Sequence, residues 1–297
     1  MLHAECSGSG SPAVIFDAAL GASSLSWALV QPEVARITRT CAYDRAGLGK
    51  SPAGPMPRTA SRIVDELREL LEQLRIEPPF VIVGHSFGGL TARLFASRYR
   101  ADMAGLVLVD APDPGEWSDM SEENRKKLAM GVWLARRGAL AARLGIARAV
   151  AWMVRSGAEG AARRVSNSVS GGVLRVHADR LLAPLYKLPP ELRRVAPEPW
   201  LRAKFYEALA SQMEALPESA AEVAAVRDLG SMPLSVITAA NPSPMRLAQQ
   251  EEASRLSSCG RHIVAAQSGH WIPFDEPRLV INAILDVVNG ARAAALP

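Results

Sequence analysis

The chain has 297 residues, of which 48% are hydrophobic, 22% charged and 5% aromatic, which suits one large soluble α/β domain carrying an inserted subdomain. A net charge of +4 with no Lys/Arg run interleaved with aromatics does not argue for nucleic acid as a partner. No apolar stretch is long enough to span a bilayer, and the start of the chain has neither a basic segment nor an apolar core of a signal peptide.

The three cysteines, Cys6, Cys41 and Cys259, are widely spaced and form no C-x-x-C pair. This pattern argues against a disulfide framework and against a zinc site, so a reducing, cytoplasmic setting is expected. The five histidines show no metal-ligand spacing, and no metal or other cofactor is expected.

Residues 14–16 read as a short buried strand after the Gly-Ser-Gly-Ser-Pro turn at 8–12. A small-residue loop, 17–24, follows. A helix is expected over 27–35 and a second strand over 38–43. Gly49-Lys50-Ser51 imitates the end of a phosphate-binding loop, but position 44 is Asp rather than Gly and prolines follow, so a nucleotide site is rejected. Residues 59–76 form an amphipathic helix, with Ile63, Leu67, Leu70, Leu71 and Leu74 on one face, ended by Pro78 and Pro79. Strands at 80–83 and 105–109 enclose a helix at 90–98. Strands alternating with helices imply an α/β fold: a mostly parallel central sheet with helices on both faces.

The pattern changes between 113 and 230. Strand signals fall away and Ala, Arg and Leu dominate, which marks a helical insertion between two halves of a core, 1–112 and 231–297. Within 133–154, arginines interleave with Leu, Ile and Val. One reading is a basic amphipathic surface for anionic membranes or substrates. The other, adopted as the default, is a solvated face over a buried one. Strands at 234–238 and 261–266 and helices at 245–256 and 279–288 complete the core.

The chemistry concentrates at Gly84-His85-Ser86-Phe87-Gly88, a G-x-S-x-G sequence between a strand and a helix. A chain that turns from strand to helix within a few residues holds Ser86 at a strained apex, with its Oγ clear of the sheet. A serine hydroxyl needs a base. His270, in the loop after the last strand, emerges at the same sheet edge; His85 is given a packing role, and His3, His177 and His262 none. A carboxylate must orient the imidazole. Asp110, at the end of the strand after the nucleophile helix, is the preferred acid, with Asp113, Asp228 and Asn241 as alternatives. The backbone N–H groups of Phe87 and Leu20 are the candidate oxyanion donors.

Together, Gly84-His85-Ser86-Phe87-Gly88-Gly89, Tyr43-Asp44-Arg45-Ala46-Gly47-Leu48-Gly49-Lys50-Ser51, Leu106-Val107-Leu108-Val109-Asp110 and Ser268-Gly269-His270-Trp271-Ile272-Pro273 resemble the α/β-hydrolase superfamily. The resemblance covers most of the chain outside the insertion. It implies that 113–230 is a cap over the active site, whose pockets depend on Trp133, Trp152, Leu181, Tyr186 and Trp200. Some members take the acid from the strand after the nucleophile helix, which implies that role for Asp110. Two departures stand out. Ala18-Ala19 replaces the family's usual His-Gly before the oxyanion residue, and the chain starts close to what would be the family's second strand, so a short sheet is expected.

The resulting expectation is a serine hydrolase that cleaves small carboxylic esters through an acyl-enzyme on Ser86, without cofactor. A C–C bond hydrolase or acyltransferase using the same serine is the alternative within the fold. A non-catalytic binding protein that keeps the pocket is the alternative outside enzymes. Epoxide hydrolase and dehalogenase relatives attack with a carboxylate, whereas position 86 is serine.

Overall fold

The structure, a computed structural model, describes residues 1–173 and 185–294. His177 and Leu181 therefore lie outside the described residues. Seven strands form one sheet in the order β1-β3-β2-β4-β5-β6-β7. They are β1 (Ala4–Ser7), β2 (Ala13–Asp17), β3 (Thr40–Tyr43), β4 (Phe80–His85), β5 (Met103–Val109), β6 (Leu234–Ala239) and β7 (Gly260–Ala265). Every neighbouring pair is parallel except β1 with β3, which is antiparallel.

Strand alternation divides the core. Ile15, Ile82, Leu106, Leu108 and Val236 face the helices Ala60–Gln73 and Phe87–Arg98. Val14, Phe16, Val81, Val83, Val107, Val109 and Ile237 face Trp27 and the helix Pro277–Ala294. Both faces are covered, so the strands are apolar on both sides and carry little alternation of their own. Thr59 caps the amphipathic helix by accepting a hydrogen bond from the Arg62 N–H at 3.2 Å.

Three expectations change. The sheet has an N-terminal strand, β1, that was not predicted; its residues are mostly exposed, so no run of apolar residues announces it. Cys6 and Cys41 are joined by a disulfide, against the expectation from their spacing. They are 35 residues apart in sequence but directly opposite in the β1–β3 register, and opposition across strands leaves no mark in linear spacing. The disulfide also removes the ground on which a reducing compartment rested. The third change is at 27–35, where a helix was expected. Two single turns, Ser24–Trp27 and Gln31–Val34, take its place, with Pro32 in the second.

Between β5 and β6 the chain is helical: Glu122–Arg143, Ile146–Arg155, Glu159–Val169, Ala203–Glu214 and Leu216–Ala224. Gly145, at φ +77°, divides the first two. Leu216–Ala224 joins the main core through Leu216 and Val223, and Ser219 Oγ accepts the Ala60 N–H at 2.9 Å. Among the described residues, no helix is long and apolar enough to cross a membrane.

Phe95 is fully buried, with ring centroids 6.3 Å from Phe80 and 4.8 Å from Tyr99. Phe95→Ala is expected to lower unfolding free energy by about 3–5 kcal/mol, read from the urea midpoint at unchanged slope.

Candidate active site

Parallel register brings the ends of β2, β4, β5 and β6 to one edge of the sheet. His85 sits opposite Val109, and Val109 opposite Ile237. The chain then turns. Ser86 adopts φ 53°, ψ −121°, and its N–H still donates to Val109 O at 2.9 Å. A β-carbon on Gly84 would lie 2.2 Å from Gly88 O, and one on Gly88 would lie 2.4 Å from Asp17 O. Only glycine permits the strand-to-helix turn to close on itself and press against the end of β2. Ser86 Oγ has no hydrogen-bond partner among the described residues, His270 included.

Asp110 also has positive φ, at 44°, while its N–H stays in the ladder with Ile237 O at 2.7 Å. Its Oδ2 accepts a 2.6 Å hydrogen bond from His270 Nδ1. An ionised carboxylate only accepts, so the proton is on Nδ1 and Nε2 is left with a free lone pair. Of Asp110, Asp113, Asp228 and Asn241, Asp110 is the one bonded to His270. Asp113 and Asp228 accept from the N–H groups of Gly115 and Gly230 in local turns, and Asn241 is exposed. Burial pushes the Asp110 carboxyl up. The His270 hydrogen bond and charge, Arg246 and the Ala239 N–H together outweigh it and hold the carboxyl below its usual range.

Sequence reasoning did not find Arg246. Its Nη2 donates to Ala111 O at 2.8 Å and lies 3.4 Å from Asp110 Oδ1, which braces the acid from the side away from His270. Nothing in the local sequence marks it.

His85 packs as expected, its ring 4.9 Å from that of His270 and 5.2 Å from that of Trp271. It also does more: Nε2 donates to His270 O at 2.7 Å, which ties the loop of the histidine to the residue before Ser86. Complete burial, reinforced by the neighbouring His270, lowers the His85 pKa to about 3, so the ring is neutral.

The N–H groups of Leu20 and Phe87 form no hydrogen bond among the described residues. Their segments are fixed by Arg45, a residue in one of the motifs but assigned no role from sequence. Its side chain is 2% exposed and that of Asp17 1%. Nη1 donates to Asp17 Oδ1 at 2.9 Å and to Ala18 O at 2.8 Å, Nη2 donates to Ala19 O at 2.5 Å, and the guanidinium lies 5.0 Å from the centroid of the Phe87 ring. One buried cation thus holds both the loop that carries Leu20 and the side chain of Phe87. Thr91 Oγ1 donates to the other Asp17 oxygen. The Leu20 side chain packs against the cluster of Ala135, Ala210 and Met213, so this loop also touches the insertion.

The arrangement matches a known pattern. A family profile described as the alpha/beta hydrolase fold matches residues 12–149. An esterase from Thermogutta terrifontis superposes with a TM-score of 0.66 at 22% identity, over 98% of this chain and 93% of that one. The epoxide hydrolase CorEH superposes with a TM-score of 0.62 at 20% identity, over 96% and 94% of the two chains. The chain has the α/β-hydrolase fold. Among curated relatives, YqjL of Bacillus subtilis is 36% identical over 103 residues, 35% of this chain and 41% of that protein. The match to an AB hydrolase superfamily protein of Gibberella zeae spans 32% of its length, so less than half of each of these two relatives is matched. An esterase, an epoxide hydrolase and a haloalkane dehalogenase all appear among the structural neighbours, each sharing the fold at 17–22% identity.

Two stability predictions arise from the buried charges. His85 binds no proton in the folded state until the pH approaches 3, whereas an unfolded histidine binds one below about 6.5. Unfolding therefore takes up a proton in that window, and the stability tied to His85 is complete above it and lost as pH falls through it. Urea midpoints measured across this range are expected to fall less steeply for His85→Gln than for the wild type. Arg45→Ala leaves the Asp17 carboxylate buried and unpaired and is expected to cost about 3–5 kcal/mol. The Asp17→Ala, Arg45→Ala double variant should lose less than the sum of the two single variants in the same unfolding assay.

Proposed function

We propose that this protein is a serine hydrolase that cleaves carboxylic esters through an acyl-enzyme on Ser86. The observation that carries the reading is the 2.6 Å Asp110–His270 hydrogen bond at the sheet edge where the Ser86 turn emerges. Ser86 Oγ attacks the ester carbonyl carbon while its proton passes to His270 Nε2. Asp110 stabilises the imidazolium that forms and keeps the proton on Nδ1. Charge develops on the former carbonyl oxygen, where the N–H groups of Leu20 and Phe87 are the proposed donors. Collapse of the tetrahedral intermediate expels the alcohol, which takes its proton from His270. A water molecule, deprotonated by the same nitrogen, then attacks the acyl carbon and releases the acid, regenerating Ser86.

Several features support this reading. Ser86 and His270 share His85 as a common support, one through the chain and one through the carbonyl bond. The hydroxyl is not committed to another acceptor. An apo site commonly holds nucleophile and base apart until substrate closes it. The likeness to the Thermogutta esterase agrees with ester chemistry, and serine at 86 distinguishes this site from the carboxylate nucleophile of epoxide hydrolases. Leu20 packs against the apolar cluster of Ala135, Ala210 and Met213, so the surroundings of the proposed oxyanion loop favour an aliphatic or aromatic acyl group over a charged one.

A fluorophosphonate probe followed by digestion is expected to label Ser86. With short p-nitrophenyl esters, Ser86→Ala should lower kcat by about 10⁶ and Asp110→Asn by about 10⁴, the scale seen in other serine hydrolases. An unlabelled wild type, or a label that persists in Ser86→Ala, would remove the proposal. Wild-type turnover in Asp110→Asn would reassign the acid alone.

A further inference from the structure

The cap has a surface that ester hydrolysis does not use. Along Glu122–Arg143, the buried residues Ala135, Ala139 and Ala142 face the Ala203–Glu214 helix. Trp133, Arg137, Leu140 and Leu144 follow one another at i, i+4, i+7 and i+11 on the opposite side. Leu140 is 58% exposed and Leu144 67%. The next helix, Ile146–Arg155, has no buried residue at all. Its outer stripe is Arg148, Trp152 and Arg155, at i, i+4 and i+7, with Trp152 63% exposed. A solvated face over a buried one, the default expectation, describes Glu122–Arg143, whose buried side is alanine, but not Ile146–Arg155. Trp133, Trp152 and Tyr186, expected to shape cap pockets, lie at the surface.

Charge is segregated in the same place. Residues 129–170 contain seven arginines and a single acid, Glu159, six net positive charges against +4 for the whole chain, so the remainder of the protein is net −2. Arg136 and Arg143 are paired with Glu214 and Glu207. Arg148, Arg155, Arg163 and Arg164 have no ion pair among the described residues.

We propose that this face of the cap docks on an anionic lipid bilayer. Exposed apolar side chains gain by leaving water, and a bilayer is the acceptor that takes leucine and tryptophan at one surface. Tryptophan between two arginines suits the headgroup depth, where its ring meets acyl chains and the guanidinium groups meet lipid phosphate. Nucleic acid would satisfy the arginines but leave Leu140, Leu144 and Val154 in water. The concentration of positive charge in residues 129–170, with a net negative remainder, favours approach of this segment to a negative surface. This docking is independent of the ester-hydrolase reading.

The test is co-sedimentation of the full chain with phosphatidylglycerol vesicles and, separately, with phosphatidylcholine vesicles. Binding to the first is expected to exceed binding to the second and to weaken as salt is raised. Arg148→Gln with Arg155→Gln should lower the partition coefficient roughly tenfold or more. Trp152→Ala should lower it several-fold, with circular dichroism unchanged in both variants. Equal sedimentation with the two lipids, or variants that bind like the wild type, would overturn the proposal. So would retention on heparin or duplex DNA without vesicle binding, which would mark a polyanion surface instead.

Discussion

Parallel pairing in a single register is the constraint on which the site depends. β2, β4, β5 and β6 are aligned so that Asp17, Ser86, Asp110 and Ala239 leave the sheet together. A slip of one residue along any strand would turn its apolar side chains to the wrong face, so the core holds the register and the register holds the chemistry. Ser86 and Asp110 both adopt positive φ while their N–H groups remain bonded to Val109 and Ile237. The backbone departs from regular geometry at the residues whose side chains must leave the sheet, and the intact ladder beneath absorbs the cost.

Burial then decides which polar groups around that edge are charged. Arg45 and Asp17 are almost wholly buried, and each supplies what the other lacks in the absence of water. His85 has no anionic partner of its own and is neutral. Asp110 is buried too, but His270, Arg246 and a backbone N–H keep it ionised. These groups hold loops from distant parts of the chain: Arg45 the loop after β2, His85 the loop after β7, Arg246 the segment after β5. Polar contacts between strand ends thus set positions that apolar packing alone leaves loose.

The helical segment between β5 and β6 packs differently from the core. The packed face of Glu122–Arg143 is alanine, which lets this helix approach Ala203–Glu214 closely; Phe205 and Met213 are buried on the latter, while Trp133, Leu140 and Trp152 are exposed. In the core, residue size and burial go together.

Much of the core was legible in the residues themselves. A run such as Phe80–Val83 between Pro79 and Gly84 reads as a buried strand, and the spacing of Ile63, Leu67 and Leu70 reads as a helix, because burial imposes a period on neighbours in sequence. The G-x-S-x-G turn is equally local, since its geometry is dictated by which of five consecutive residues can lack a β-carbon. The strand Ala4–Ser7, the Cys6–Cys41 disulfide, the bracing of Asp110 by Arg246 and the hold of Arg45 on Asp17 were not legible. Each joins residues far apart along the chain, and no periodicity connects them. Local pattern marks most of the strands and helices, β1 and the 27–35 segment excepted, and the kinds of side chain that can do chemistry. The contact of Asp110 with His270 joins residues 160 apart in sequence through the pairing of strands, and Asp113, three residues further along the same chain, turns instead to the Gly115 N–H; no local pattern marks that difference.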